Sequence, residues 1–133
     1  MPGSSLWLVP APDSALYNTL NTLINSSIPA AYPVAIPPRF SPHVTLTADT
    51  VGSADDPQRW LDSLELPSSV ADLRVRIREP QVGDIFFRKL TLRCEKDEQL
   101  KALAAACRKA GERTDDEVRS WAEEVYAPHL SLF

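Results

Sequence analysis

The sequence lacks the features that mark membrane and secreted proteins. None of its apolar runs approaches the roughly 20 residues that a helix needs to cross a bilayer. Its first residues show no basic stretch followed by a long apolar segment, so we expect neither a membrane span nor a signal peptide. Only two cysteines, Cys94 and Cys107, are present among 133 residues, and their spacing is not that of a metal-ligand pair. We therefore expect free thiols in a soluble, intracellular protein of the cytoplasm, with a disulfide between the two cysteines as the alternative.

Positive charge is scarce, above all in the N-terminal half. Arg39 is the only Lys or Arg before Arg59, and the net charge of the chain is −4. This balance disfavours a nonspecific nucleic-acid binder, which needs a basic surface. The sequence also lacks a glycine-rich phosphate loop, a nucleophile elbow and any cluster of metal ligands near its histidines. We therefore expect no metal and no cofactor.

Short segments alternate between strand and helix patterns. Apolar patterning predicts strands over residues 6–9 (buried), 43–47, 73–78, 85–94 and 128–133, with 73–78 and 85–94 forming an antiparallel hairpin. Helical spacing predicts helices from residue 13 or 14 to about 26, over 56–64, over 97–111 and over 115–124. The third of these helices should bury Leu100, Leu103, Ala104 and Cys107, and the proline-rich residues 28–42 should form a loop. This order indicates one α+β domain over residues 1–133.

One short pattern occurs twice. It reads proline, histidine, aliphatic, hydroxyl, leucine, and it is found at Pro42-His43-Val44-Thr45-Leu46 and at Pro128-His129-Leu130-Ser131-Leu132. Both copies enter predicted strands, in which residues i and i+2 point to the same side. Each copy therefore presents one imidazole beside one hydroxyl, while its aliphatic residues face a core. The chain has only two histidines, and both lie in this pattern, which disfavours the alternative that each is an ordinary structural residue.

Two imidazoles and two hydroxyls suit the opening of a cyclic phosphate ester. That reaction needs a base for the attacking water, an acid for the departing oxygen and donors for the non-bridging oxygens. Imidazole has an unperturbed pKa of about 6.5, so one ring can accept a proton while the other donates one. We predict that His43 and His129 are the acid–base pair, that Thr45 and Ser131 are oxyanion donors, and that no metal takes part.

These paired motifs resemble those of the 2H phosphoesterase superfamily, whose members carry two His-x-Thr/Ser elements. Within it, the chain is most similar to the cyclic phosphodiesterases of fungi and plants. Further segments extend the resemblance over essentially the whole chain, and they are Leu6-Trp7-Leu8-Val9-Pro10, Pro38-Arg39-Phe40-Ser41-Pro42, Gly83-Asp84-Ile85-Phe86-Phe87-Arg88 and Glu123-Glu124-Val125-Tyr126-Ala127.

The resemblance implies a two-lobed 2H phosphoesterase fold, with antiparallel sheets related by a pseudo-twofold, flanking helices and a cleft between the lobes. It implies that ADP-ribose 1″,2″-cyclic phosphate is opened to ADP-ribose 1″-phosphate in the metabolism of tRNA-splicing by-products. Nucleoside 2′,3′-cyclic phosphates would be opened to 2′-phosphates. The implied partner is this small cyclic phosphate, with no stable nucleic acid, and we expect a monomer. A Golgi association is implied by the resemblance alone.

Site roles also follow from the resemblance. By motif position, His43 would be the general acid and His129 the general base. Trp7 and Phe87 stand where the family places aromatic rings against the base or sugar, with core packing as the alternative. Arg88 is a candidate phosphate contact, with simple solvent exposure as the alternative.

The C-terminus departs from the family pattern. Family members continue past the second motif with more strands, and usually with a tyrosine just beyond the position of Phe133. We therefore expect a fold that is incomplete at its C-terminus, with the last strands missing. Two other functions stay open. One is another 2H activity on RNA ends, for which a basic groove would be the discriminating feature. The other is a non-catalytic nucleotide- or RNA-binding remnant.

Overall fold

A computed structural model describes residues 5–33, 39–48, 50, 56–83, 90–109 and 113–133. Its strands are β1 (Ser5–Leu8), β2 (Val44–Ala48), β3 (Ile77–Val82), β4 (Leu90–Cys94) and β5 (His129–Ser131). Its α-helices are α1 (Ala15–Thr22), α2 (Ile28–Ala31), α3 (Pro57–Asp62), α4 (Glu98–Lys109) and α5 (Asp115–Glu124). A π-helical turn (Leu23–Ser27) joins α1 to α2, and a 3₁₀ segment (Ser68–Asp72) precedes β3.

The helices begin where the sequence offers capping side chains. The Ser14 hydroxyl accepts a hydrogen bond from the backbone N–H of Tyr17 at the start of α1. Asp56 caps α3 in the same way. At α5, Thr114 and Glu117 form a capping box in which each side chain accepts from the other's backbone N–H. Local side-chain chemistry thus sets these helix starts, and the helix predicted over residues 115–124 is confirmed.

The five strands of the described residues form one sheet in the order β1-β2-β5-β4-β3. Antiparallel pairing joins β2 to β5, β5 to β4 and β4 to β3. The last of these pairs is the predicted hairpin, of which residues 85–89 lie outside the described residues. Antiparallel strands together with helices confirm the predicted α+β class.

The chain divides into two compact units, each assembled from several segments. One unit contains the described residues of Met1–Trp7, Thr45–Arg76 and Glu95–Pro128. The other contains those of Leu8–Val44, Ile77–Cys94 and His129–Phe133. The expectation of a single domain over residues 1–133 stays a prediction.

Each unit buries its own apolar residues. In the first unit α4 packs against α5, and the buried residues of the two helices are Leu100, Leu103, Ala104, Cys107, Val118 and Ala122. The four inward positions predicted for α4 are therefore confirmed. The second unit buries Leu20, Ile24, Ile28, Val44, Cys94, Leu130 and Leu132.

The strand predicted over residues 73–78 is wrong for its first four residues. Pairing begins at Ile77, which lies opposite Cys94, the last residue of β4. Residues 73–76 lie beyond the end of β4. Next to the Ile77–Cys94 pair, the Glu95 N–H donates one further hydrogen bond of 2.8 Å to the Arg76 carbonyl. The strand instead continues through Pro80 to Val82, because an edge strand tolerates proline. An alternating pattern cannot show where its partner strand ends.

Two smaller predictions also need correction. Residues 28–31 are helical and not loop, because α2 continues the helical run of α1 and the π-helical turn, with Pro29 in its first turn. The prediction of a buried strand over residues 6–9 is wrong in its burial. In fact β1 lies at the end of the sheet, where Trp7 is 46% exposed and Val9 is 53% exposed.

Candidate functional site

The two copies of the repeated pattern have the same profile of burial. In the first copy Pro42, Val44 and Leu46 are buried, while His43 and Thr45 are half-buried. In the second copy Pro128, Leu130 and Leu132 are buried, while His129 and Ser131 are half-buried. Alternation along a strand places the imidazole and the hydroxyl of each copy on one face, away from the buried aliphatic residues.

The strands that carry the two copies are neighbours. Val44 of β2 is the direct antiparallel partner of Leu130 of β5. Along an antiparallel pair the residue before one position lies opposite the residue after its partner, so the register sets His43 opposite Ser131. Directly opposed side chains share a face, with Cβ atoms about 4.5–5.5 Å apart. His129, two residues before Ser131, lies on that same face of β5.

The ring of His43 is oriented by its own loop. Its Nδ1 lies 2.7 Å from the carbonyl oxygen of Ser41. Because a carbonyl only accepts, Nδ1 carries the hydrogen in this contact. The ring also meets Phe40 edge-on, with centroids 6.3 Å apart. In turn, the Phe40 carbonyl accepts a hydrogen bond of 3.0 Å from the Asn25 side chain, which ties the loop to the helical segment. These contacts fix the orientation of the His43 ring relative to its loop.

Thr45 is tethered to the segment that leads into the second copy. The Tyr126 hydroxyl donates to the Thr45 carbonyl at 2.9 Å, and Tyr126 is itself only 7% exposed. Lys96 holds this segment by donating from Nζ to the carbonyls of Glu123 (2.7 Å) and Tyr126 (2.9 Å). The sequence alone assigns no role to Tyr126 or Lys96, because no local pattern reveals hydrogen bonds between residues 27 to 81 positions apart.

Of the three residues predicted to bind substrate, the structure describes one. Trp7 is 46% exposed, which disfavours the alternative that its ring packs in a core. Phe87 and Arg88 lie outside the described residues.

Two kinds of feature are absent from the part of the chain that the structure describes. Among them, no three His, Cys, Asp or Glu side chains lie close enough together to hold a metal ion. No helix in this part of the chain is both long and apolar enough to span a membrane.

A family profile and several known proteins match this sequence over all or nearly all of its length. The profile of the family described as "Cyclic phosphodiesterase-like protein" matches residues 1–133. A 2′,3′-cyclic-nucleotide 3′-phosphodiesterase of Phaeosphaeria nodorum is 44% identical, over 99% of this chain and 68% of the relative. Proteins of the same name from Neurospora crassa and Saccharomyces cerevisiae are 36% and 31% identical. These alignments cover 99% and 96% of this chain, and 70% and 63% of the respective relatives.

Proposed function

The chain belongs to the cyclic phosphodiesterase-like family, and on that premise we propose that it hydrolyses a five-membered cyclic phosphate to a phosphomonoester. The predicted resemblance is confirmed at the level of the family, and with it the prediction of a phosphodiesterase. Our proposed substrates are ADP-ribose 1″,2″-cyclic phosphate and nucleoside 2′,3′-cyclic phosphates. The observation that supports the proposal most directly is the pairing of Val44 with Leu130, because it brings two His-x-hydroxyl elements onto adjacent antiparallel strands.

The proposed reaction is an in-line displacement at phosphorus. His129 takes a proton from water as the water oxygen attacks, and His43 gives a proton to the sugar oxygen as its bond to phosphorus breaks. For a nucleoside substrate the bond to the 3′-oxygen breaks, which leaves a 2′-phosphate. Each turnover consumes one water and returns the protons of the pair to their starting count. No metal ion is needed for these steps.

The contact of His43 with Ser41 supports the role of His43 as the acid. A protonated imidazole is a donor at both nitrogens. With Nδ1–H donating to the Ser41 carbonyl, Nε2–H is the group that we propose protonates the departing oxygen.

We propose that the Thr45 and Ser131 hydroxyls stabilise the negative charge that builds on the non-bridging oxygens. Ser131 lies opposite His43 in the register of β2 and β5, and Thr45 follows His43 at the i+2 position of its own strand. A hydroxyl beside each imidazole can donate to one oxygen of the phosphate as bonds are made and broken. In the same proposal, Trp7 and Phe87 hold the base or sugar, and Arg88 contacts phosphate.

Turnover of a panel of cyclic phosphates, followed by chromatography and ³¹P NMR, tests this function. We expect hydrolysis of ADP-ribose 1″,2″-cyclic phosphate and of nucleoside 2′,3′-cyclic phosphates, with 2′-phosphates as the nucleoside products. Rates should be the same with and without EDTA. Loss of activity in EDTA that a divalent ion restores would contradict the metal-free mechanism. Binding of these compounds without any turnover would instead identify a non-catalytic binding protein.

A further inference from the structure

The register between β4 and β5 extends the histidine-bearing face to a third strand. Arg93 is the direct antiparallel partner of His129, and Thr91 is the partner of Ser131. Between these pairs, Leu92 lies opposite the buried Leu130. Because opposed residues of an antiparallel pair share a face, Arg93 lies beside His129 on the side of the sheet away from Leu130.

Arg93 is held only weakly by its protein partner. Its guanidinium lies 3.8 Å from a carboxylate oxygen of Glu79 on β3, and both side chains are 60% exposed. An exposed ion pair at this distance contributes little free energy, since water screens both charges. A phosphate can replace the carboxylate with two parallel, charge-assisted hydrogen bonds to one guanidinium. The Arg93 guanidinium can therefore leave Glu79 and bind an anionic ligand.

The scarcity of positive charge in these strands makes Arg93 important for binding an anion. Within the described strands β2, β5 and β4, Arg93 is the one Lys or Arg. The whole chain carries a net charge of −4, so an anionic substrate approaches against the overall charge. A guanidinium next to His129 offsets that repulsion where the phosphate is proposed to lie.

We infer that Arg93 is a substrate-binding residue that contacts the phosphate from the β4 side and sets the affinity for anionic ligands. This inference rests on the proposed function. A cyclic phosphate carries one negative charge, whereas the phosphomonoester product carries close to two near neutral pH. Arg93 therefore binds the product more strongly than the substrate, and it sets how strongly the product inhibits turnover.

The test compares Arg93→Gln with a matched control. Arg76 forms an equally long ion pair of 3.8 Å with Glu95, so Arg76→Gln removes an arginine–glutamate pair whose arginine lies outside β2, β5 and β4. For Arg93→Gln we expect KM for a nucleoside 2′,3′-cyclic phosphate to rise about tenfold, with kcat within about threefold of wild type. Arg93→Lys should recover part of the loss, because it keeps the charge without the two-pronged geometry. Arg76→Gln should behave as wild type.

Calorimetric titration with a nucleoside 2′-monophosphate separates this inference from the reaction itself. Arg93→Gln should weaken binding of this product by a larger factor than it raises KM, while Glu79→Gln should tighten it or leave it unchanged. Equal product affinity in Arg93→Gln and wild type would overturn the role of Arg93, even with normal turnover. If wild type binds the product but hydrolyses no cyclic phosphate, the proposed function is contradicted. The titration of Arg93→Gln would still show whether Arg93 binds the phosphate. Absence of product binding to wild type would overturn the inference as well.

Discussion

Val44 and Leu130 face each other across an antiparallel strand pair, and each is at most 5% exposed. Each is the middle residue of one copy of the Pro-His-aliphatic-hydroxyl-Leu pattern. An antiparallel pair has local twofold symmetry about such a point, so the two copies are related by that symmetry. The buried pair thereby sets the register of the polar side chains on the other face, and a slip of one residue would turn them into the core.

Replacement of either histidine by alanine should nearly abolish turnover. We expect His43→Ala and His129→Ala each to lower kcat by roughly 10²–10⁴-fold, which is the usual contribution of a positioned acid or base. The two losses should not multiply in the double variant, because both rings act on one transition state. Steady-state kinetics with a nucleoside 2′,3′-cyclic phosphate measures this.

The matched control for His43→Ala is Ser41→Ala, which keeps the backbone carbonyl that accepts from His43. This variant should retain most of the wild-type rate. Wild type should also show a bell-shaped dependence of kcat/KM on pH, since only the singly protonated pair is competent. A His43→Ala variant that keeps most of the rate would refute the two-histidine mechanism.

The hydroxyls should affect kcat more than substrate binding. Thr45→Val and Ser131→Ala each remove one donor to the developing charge, for which a loss of roughly 10²–10³-fold in kcat is typical. Thr47→Val is the control on the same strand. The Thr47 hydroxyl is used inside the protein, where it donates to the Ala48 carbonyl and accepts from Arg108 Nη1. We expect Thr47→Val to lower the melting temperature and leave kcat close to wild type, and the reverse pattern would contradict the assignment.

Tyr126→Phe should lower both stability and turnover. The variant loses the 2.9 Å hydrogen bond to the Thr45 carbonyl and keeps the buried ring, which should cost about 1 kcal/mol in the free energy of unfolding. The backbone of Thr45 would then be less tightly positioned, so kcat should fall while KM changes little. Urea denaturation and steady-state kinetics measure the two effects.

Tyr32→Phe is the control for the tyrosine prediction. Tyr32 is 56% exposed, and its ring contact with Phe133, at a centroid distance of 6.0 Å, does not require the hydroxyl. This variant should match wild type in both measurements. If Tyr126→Phe is destabilised but turns over at the wild-type rate, Tyr126 supports the fold without positioning Thr45 for the reaction.

Both cysteines should resist thiol reagents in the folded protein. Cys94 and Cys107 are free and buried, and burial raises the pKa of each thiol from 9.0 to about 11. At mildly alkaline pH the nucleophilic thiolate is therefore scarce as well as inaccessible. Ellman's reagent should label native protein slowly and should titrate two thiols after denaturation in urea. Rapid labelling of both thiols in native protein would contradict this burial.

The same pKa shifts give the sign of a pH effect on stability. Between pH 9 and about 11 the unfolded chain releases the thiol protons while the folded chain retains them. The free energy of unfolding should therefore fall as the pH rises through this window. Replacing both cysteines by alanine should make this fall shallower, as measured by urea denaturation at several pH values.

The local features of this protein follow from short stretches of its sequence. Capping residues such as Thr114 and the apolar spacing of α4 act within one or two helical turns, so helix positions and the inward residues of α4 could be predicted. The repeated pattern likewise identified two imidazoles and two hydroxyls, because alternation in a strand depends only on neighbouring residues.

The pairing of the strands and its register depend on contacts between distant segments, which no short stretch of sequence reveals. The alternation of residues 73–78 contained no sign that β4 ends opposite Ile77, and so the strand was predicted too early. Nor could any local pattern place Arg93 opposite His129, or the Tyr126 hydroxyl on the Thr45 carbonyl. Such contacts depend on how distant segments pack and share hydrogen bonds, and their energies are set by the whole fold and not by the residues on either side.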